Sequence, residues 1–255
     1  MKKIQCHLLV FLILIIIKSC SYEKNEKVNY VAYYDTAQSK IKMKGEILNG
    51  VEIGEWRYFD ESGEIIQMGL YEEGFQKGQW QYSYSGVEKF VNWEHVVASN
   101  HFMFSLPTTF KNSANLTDSL TYTAIDSIDG SVFSVRPISM SNDSLLSNYF
   151  DINVNSFIYQ NFTIRNAESS CIKGDGLLYY LDEYILYHSN TNKEMAMYMI
   201  YTILDKDLVV LTYTTSPQNI SKARFFIGEI FYHCKFKNKR LADPFVEIKD
   251  ILKRI

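Results

Sequence analysis

The 255-residue chain predicts an α+β fold, with a small β-hairpin repeat module followed by an antiparallel sheet packed with helices. Three observations predict it. A Gly-x-Trp-x-Tyr pattern recurs after 24 residues, at Gly54-Glu55-Trp56-Arg57-Tyr58 and Gly78-Gln79-Trp80-Gln81-Tyr82. Beyond residue 100, short runs of β-branched and aromatic residues alternate with turn residues. Helix-start signals stand at Ser216-Pro217 and Asp243-Pro244. With 47% apolar residues, 19 Tyr and 16 Phe, the chain can fill a substantial core.

The N-terminus reads as an export signal. Lys2 and Lys3 precede an apolar run, Leu8–Ile17, which ends at Ile17-Lys18-Ser19-Cys20 before the polar SYEKNEK. That run is shorter than the ~20 apolar residues that span a bilayer. A small residue followed by Cys at this place resembles the lipobox of bacterial lipoproteins, although Lys18 stands where such signals carry an apolar or small residue. The resemblance implies removal of residues 1–19 and a lipid (palmitate or another acyl chain) on Cys20. It places the protein in the cell envelope, at the outer membrane, facing either the periplasm or the surface, with residues 20–29 as a tether. Loss of Lys2, Lys3 and Lys18 lowers Lys+Arg from 26 to 23 against 29 Asp+Glu, moving the net charge from −3 to about −6. An acidic chain without a basic stripe is a poor nucleic-acid binder.

After a first short strand near Tyr30–Tyr34 comes the repeat. Its copies read GEILNGVEIGEWRYF and GLYEEGFQKGQWQYS, matching Gly45 to Gly69, Gly50 to Gly74, Gly54 to Gly78, Trp56 to Trp80 and Tyr58 to Tyr82. Each copy is a β-hairpin unit with turns at Asn49-Gly50, Asp60–Gly63 and Ser85-Gly86. Trp56 and Tyr58 share one strand face, as do Trp80 and Tyr82, and form the repeat core; Arg57 and Phe59 take the other face. One hairpin cannot bury such a face alone, so the copies stack. From about Lys40 to Trp93 the stretch resembles MORN-type repeats, in the variant found in bacterial antitoxin-like proteins. That resemblance implies protein or lipid contact, with Phe59, Tyr71 and Tyr84 as candidate contact residues. The module is expected over residues 30–97, with Glu88–Ser99 as a join.

Residues 98–255 make the second domain. Strands are expected at Phe102–Leu106, Tyr122–Ile125, Val132–Val135, Phe162–Arg165 and Leu177–Leu181, then a meander of Tyr184–His188, Glu194–Leu204 and Leu208–Thr215. Thr109–Ser119 reads as a loop. A helical segment runs through Leu145 to Ile158, capped by Asn142 or Asp143. A helix starts at Pro217 and runs to about Phe231, and a last amphipathic one passes through Val246, Ile248, Ile251 and Leu252. HFMFSLPT (101–108), Met195–Thr215 and SKARFFIGEIFYHCKF (221–236) resemble the PsbP-type fold in element order, which implies a non-enzymatic assembly, binding or accessory role.

Cys171 and Cys234 are either a disulfide pair in an oxidising envelope or two thiols acting as small hydrophobes. No Cys-x-x-Cys occurs and the histidines lack ligand spacing, so no metal or cofactor is expected. No Gly-x-Ser-x-Gly elbow or phosphate-cradling glycine loop occurs. Asp205-Lys206-Asp207 reads as a hairpin turn rather than a paired-carboxylate site. Four Asp-(Ser/Thr)-apolar triplets, at Thr36, Ser119, Ser127 and Ser144, resemble the acceptor of an envelope O-glycosylation system.

The expectation is therefore a non-enzymatic, membrane-anchored lipoprotein that engages a protein or glycan of the envelope. Two alternatives stay open: an envelope-polymer hydrolase with a dispersed site, and an antitoxin or immunity-type inhibitor.

Overall fold

The computed structural model describes residues 26–84, 87–98, 101–113, 121–139, 149–174 and 177–242. The signal segment, Cys20, the turn at Ser85-Gly86, Ser119, Ser144, the cap at Asn142 or Asp143 and the last expected helix lie outside them.

The α+β expectation is overturned. Strands hold 64% of the described residues and the described α-helices number two. Strands β1 (Lys27–Tyr33), β2 (Ile41–Leu48), β3 (Val51–Phe59), β4 (Ile65–Glu72), β5 (Phe75–Tyr84), β6 (Val87–Val97) and β7 (Phe102–Pro107) form an antiparallel meander. Two short strands far along the chain, β15 (Lys235–Phe236) and β16 (Lys239–Arg240), complete this nine-stranded sheet. The second sheet has seven strands: β8 (Phe110–Asn112), β9 (Tyr122–Asp126), β10 (Val132–Ser139), β11 (Phe162–Gly174), β12 (Leu177–His188), β13 (Lys193–Leu204) and β14 (Asp207–Thr215). Their order is β11-β12-β13-β14-β10-β9-β8.

Two misread stretches account for most of the difference. The expected join at Glu88–Ser99 is β6, in which only Val91 and Trp93 are buried among exposed neighbours. β11 was expected to end at Arg165 but continues to Gly174. It is an edge strand whose residues from Glu168 to Cys171 are exposed, so no apolar alternation marks it. Leu177–Leu181 and Tyr184–His188 are one strand, β12.

Helix α1 (Tyr149–Tyr159) and helix α2 (Ile220–Tyr232), the latter entered through a 3-10 turn at Pro217–Asn219, take opposite sides of the second sheet. Odd residues of β13, Met199 and Tyr201, pack with Tyr149 and Phe157 of α1. Even ones, Tyr198 and Ile200, join the main core with α2. Burial on both faces explains why β13 reads as a nearly continuous apolar run. The C-terminal half of α2 is buried on every side because it lies between the sheets. Phe226 meets Trp93 at 6.0 Å on one side and Tyr213 at 6.3 Å on the other. No helix among the described residues is long and apolar enough to cross a membrane.

Candidate interaction surface

The two repeat copies are equivalent in geometry as well as in sequence. Gly50 and Gly74 have φ of 79° and 81°, and Gly54 and Gly78 have 66° and 67°, left-handed values that suit glycine. Gly45 and Gly69 lie beneath Trp56 and Trp80, where an added Cβ would stand 2.2 Å from either indole. The indoles donate alike, Trp56 Nε1 to the Glu46 carbonyl at 3.2 Å and Trp80 Nε1 to the Leu70 carbonyl at 3.0 Å. Trp56, Tyr58, Trp80 and Tyr82 are all buried.

This aromatic face is closed by the C-terminal part of the chain. Glu52 and Gln76 hold equivalent places in the two copies, and each receives a different polar partner. Arg240 binds Glu52 through both terminal nitrogens, Nη1 to Oε1 at 3.1 Å. Glu229 of α2 accepts from Gln76 Nε2 at 2.9 Å and from Gln67 Nε2 at 3.2 Å. Tyr71 bonds Tyr58 and His233 Nε2, each at 3.1 Å. Burial pushes the phenols of Tyr58 and Tyr71 well up, so both stay protonated at neutral pH.

Tyr71 is consequently no contact residue, being only 3% exposed within this network. Phe59 is half-buried on the opposite face, with Lys44 Nζ 5.4 Å from its ring centre. The backbone of Tyr84 ends β5, and its side chain lies outside what the structure describes.

The outer face of the repeat sheet is left open by the described residues. Cross-strand pairing lines up Val31, Lys44, Arg57, Met68, Gln81 and Phe90 across six strands. A second row sets Glu55, Leu70 and Lys77 side by side. Leu70 and Phe90 are 53% and 54% exposed, large apolar groups among charges of both signs. Sequence reasoning had reached this face through Phe59. It missed Leu70 and Phe90, whose strand parity is opposite to that of Tyr71 and Val91 and marks them as outward only once those two are known to be buried.

The other candidates separate. Cys171 is exposed on β11 and Cys234 is buried after α2, both as free thiols, and burial pushes the Cys234 thiol up. Asp207 and Asp205 are engaged by Lys237 and Lys239, each at 2.6 Å, so the two carboxylates of that turn tie it to the β15–β16 turn. Lys222 Nζ sits between Asp126 and Asp129 at 2.7 and 2.6 Å. Thr36 and Ser127 are exposed on turns, and Ser127 Oγ donates to the Thr109 carbonyl at 2.9 Å. Among the described residues no three His, Cys, Asp or Glu cluster as a metal site would require.

No protein-family model matches the chain, and no curated protein matches it. Solved structures do. The Ran-binding protein Mog1p of Saccharomyces cerevisiae is similar over 60% of this chain and 100% of its own, with 9% identity and a TM-score of 0.44. Cyanobacterial PsbP from Synechocystis sp. PCC 6803 is similar over 60% of this chain and 97% of its own, with 15% identity and a TM-score of 0.44. A Bacteroides thetaiotaomicron protein is similar over 56% of this chain and 48% of its own, with 8% identity and a TM-score of 0.39. A PsbP protein is thus among the structures this chain resembles. At these scores the likeness carries no partner or activity across.

Proposed function

We propose that the chain is a non-enzymatic envelope lipoprotein, anchored through Cys20, that works as an interaction module for another envelope protein. The observation that carries this reading is the division of labour in the repeat sheet. Its aromatic face is spent on α2 and the C-terminal hairpin, while its outer face exposes Phe90 in register with Lys44, Arg57, Met68 and Gln81, and Leu70 in register with Glu55 and Lys77. Mixed apolar and charged residues spread across six strands suit a protein surface better than a small molecule, which calls for a concave site.

The test is crosslinking in the native host followed by affinity recovery. Wild type is compared with an Arg57→Glu, Leu70→Asp, Phe90→Asp variant and with Cys20→Ala. The triple variant, if it melts like wild type, is expected to lose the recovered partner, and Cys20→Ala is expected to leave the membrane fraction. Unchanged recovery from the triple variant would exclude this face. Membrane retention of Cys20→Ala would exclude the anchor.

A further inference from the structure

The seven-stranded sheet ends in β11, a 13-residue strand that pairs only with β12. Its outer backbone edge meets no strand among the described residues. At the opposite end of this sheet β8 has 3 residues, and the far end of the first sheet is the 2-residue β16. Long open edges offer a row of N–H and C=O groups, unpaired with any strand, on which another extended chain can pair along its length.

Beside this edge, on the face turned toward α2, lies a recess of about 110 Å³ lined by Glu168, Ser169, Ser170, Leu181, Glu183 and Tyr198. Three of these form one transverse row, since Glu168 is directly opposite Glu183 and Glu183 directly opposite Tyr198. Two carboxylates facing each other across strands repel. Arg224 of α2 offsets one of them, with Nε at 2.8 Å and Nη2 at 2.6 Å from Glu183 Oε2. Both bonds go to Oε2, and among the described residues none goes to Oε1. Glu168 is exposed, and the one bond its carboxylate accepts there is from Asn166 Nδ2 at 3.0 Å.

Tyr198 supplies the independent observation. It is only 1% exposed, yet its hydroxyl makes no hydrogen bond to a described residue while its side chain lines the recess. The ring is buried while the hydroxyl opens onto the recess, where it can bond whatever enters. Burial pushes the phenol up to about 12, with Arg224 opposing and Glu183 adding to the rise, so it stays neutral and can accept a bond.

The geometry points to a peptide-binding edge: an extended segment of a partner protein adds to β11 as a new strand and places a lysine or arginine side chain in the Glu168–Glu183–Tyr198 recess. A residue opposite Glu168 on the added strand has its side chain on the recess face. An ammonium has three N–H donors, and the row presents three acceptors, the Glu168 carboxylate, Glu183 Oε1 and the Tyr198 hydroxyl oxygen. The inference is independent of the membrane anchor and of the outer face of the repeat sheet.

The test uses the full chain in detergent and fluorescein-labelled peptides of sequence Thr-Val-Thr-Lys-Thr-Val-Thr, read by anisotropy. A second peptide carries Glu in place of Lys, and a third keeps Lys but is N-methylated at every residue, which blocks both backbone edges. The Lys peptide is expected to bind at least about tenfold more tightly than either control. Glu168→Lys, an exposed substitution whose fold is checked by thermal melting, is expected to remove that preference. Equal affinity for the Lys and Glu peptides would overturn the recess, and so would an unchanged preference in Glu168→Lys. Undiminished binding of the N-methylated peptide, or equal binding of lysine amide alone, would overturn strand addition.

Discussion

Asp182 lies on β12 beneath α1 at 0% exposure, accepting a bond from Ser169 Oγ at 2.6 Å and another from the Tyr184 hydroxyl at 3.0 Å. Burial raises its carboxyl above the ordinary value of 3.8, and the bonds it accepts pull the other way without winning. A group whose folded-state value is raised favours the folded state most below the unfolded value, and that contribution is lost as pH climbs through the folded one. Ser169 and Tyr184 bond different oxygens of the carboxylate, so Asp182→Asn keeps one acceptor, sets an amide NH2 in the other place, and removes the titration. The melting temperature of wild type relative to this variant is therefore expected to fall as pH rises from 4 to 7. Melts taken at unit pH intervals check this, and a difference that stays flat across that range would place the carboxyl in water.

The Glu52–Arg240 pair ties the two-stranded unit β15–β16 to the first repeat hairpin across 188 positions of sequence. Glu52 is 1% exposed and Arg240 17% at the side chain. Removing one partner of a buried pair leaves the other charge without compensation, so Arg240→Met is expected to cost about 3–5 kcal/mol. Glu52→Met with Arg240→Met is expected to cost less than Arg240→Met alone, measured by urea unfolding. A double variant worse than the single would mean the charges do not bear on each other. Much at this scale could be read from the chain: the hairpin repeat, the strands from Phe102 to Thr215 in outline, and the helix after Pro217. These announce themselves through period-two burial, glycine turns and a Ser-Pro start. β6 and the second half of β11 could not, because most of their side chains face solvent and nothing periodic marks them. Nor could the fate of Tyr71, whose parity makes it a core residue only once the covering helix is known. Glu229, His233 and Arg240 are polar residues whose partners lie more than 150 positions away, and no local spacing announces such pairs.

Across the whole molecule one hydrophobic cluster runs from Met43 to Ala242, taking in both sheets and α2. Because β6 pairs with β7, the repeat strands and those that follow share a sheet. A fragment of residues 26–98 would leave Tyr82 and Trp93 without the helix that packs on them, and Trp56 and Trp80 without the rest of the cluster they share with residues 102–242. It is expected to show no cooperative thermal transition, in contrast to residues 26–242. A sharp melt for the short fragment would show that the hairpins stand alone.

The path of the C-terminal part across those hairpins sets a ruler. Phe226 meets Trp93 of β6, Glu229 meets Gln76 and Gln67 of β5 and β4, His233 meets Tyr71, and Arg240 reaches Glu52 of β3. A 13-residue helix is roughly 20 Å long, the width of about four strands. A third 24-residue copy inserted into the array would have no lid. Growth by duplication is thus capped at two units unless the helix lengthens in step, so the number of hairpins in the first half of the chain is written in the length of a helix near its other end.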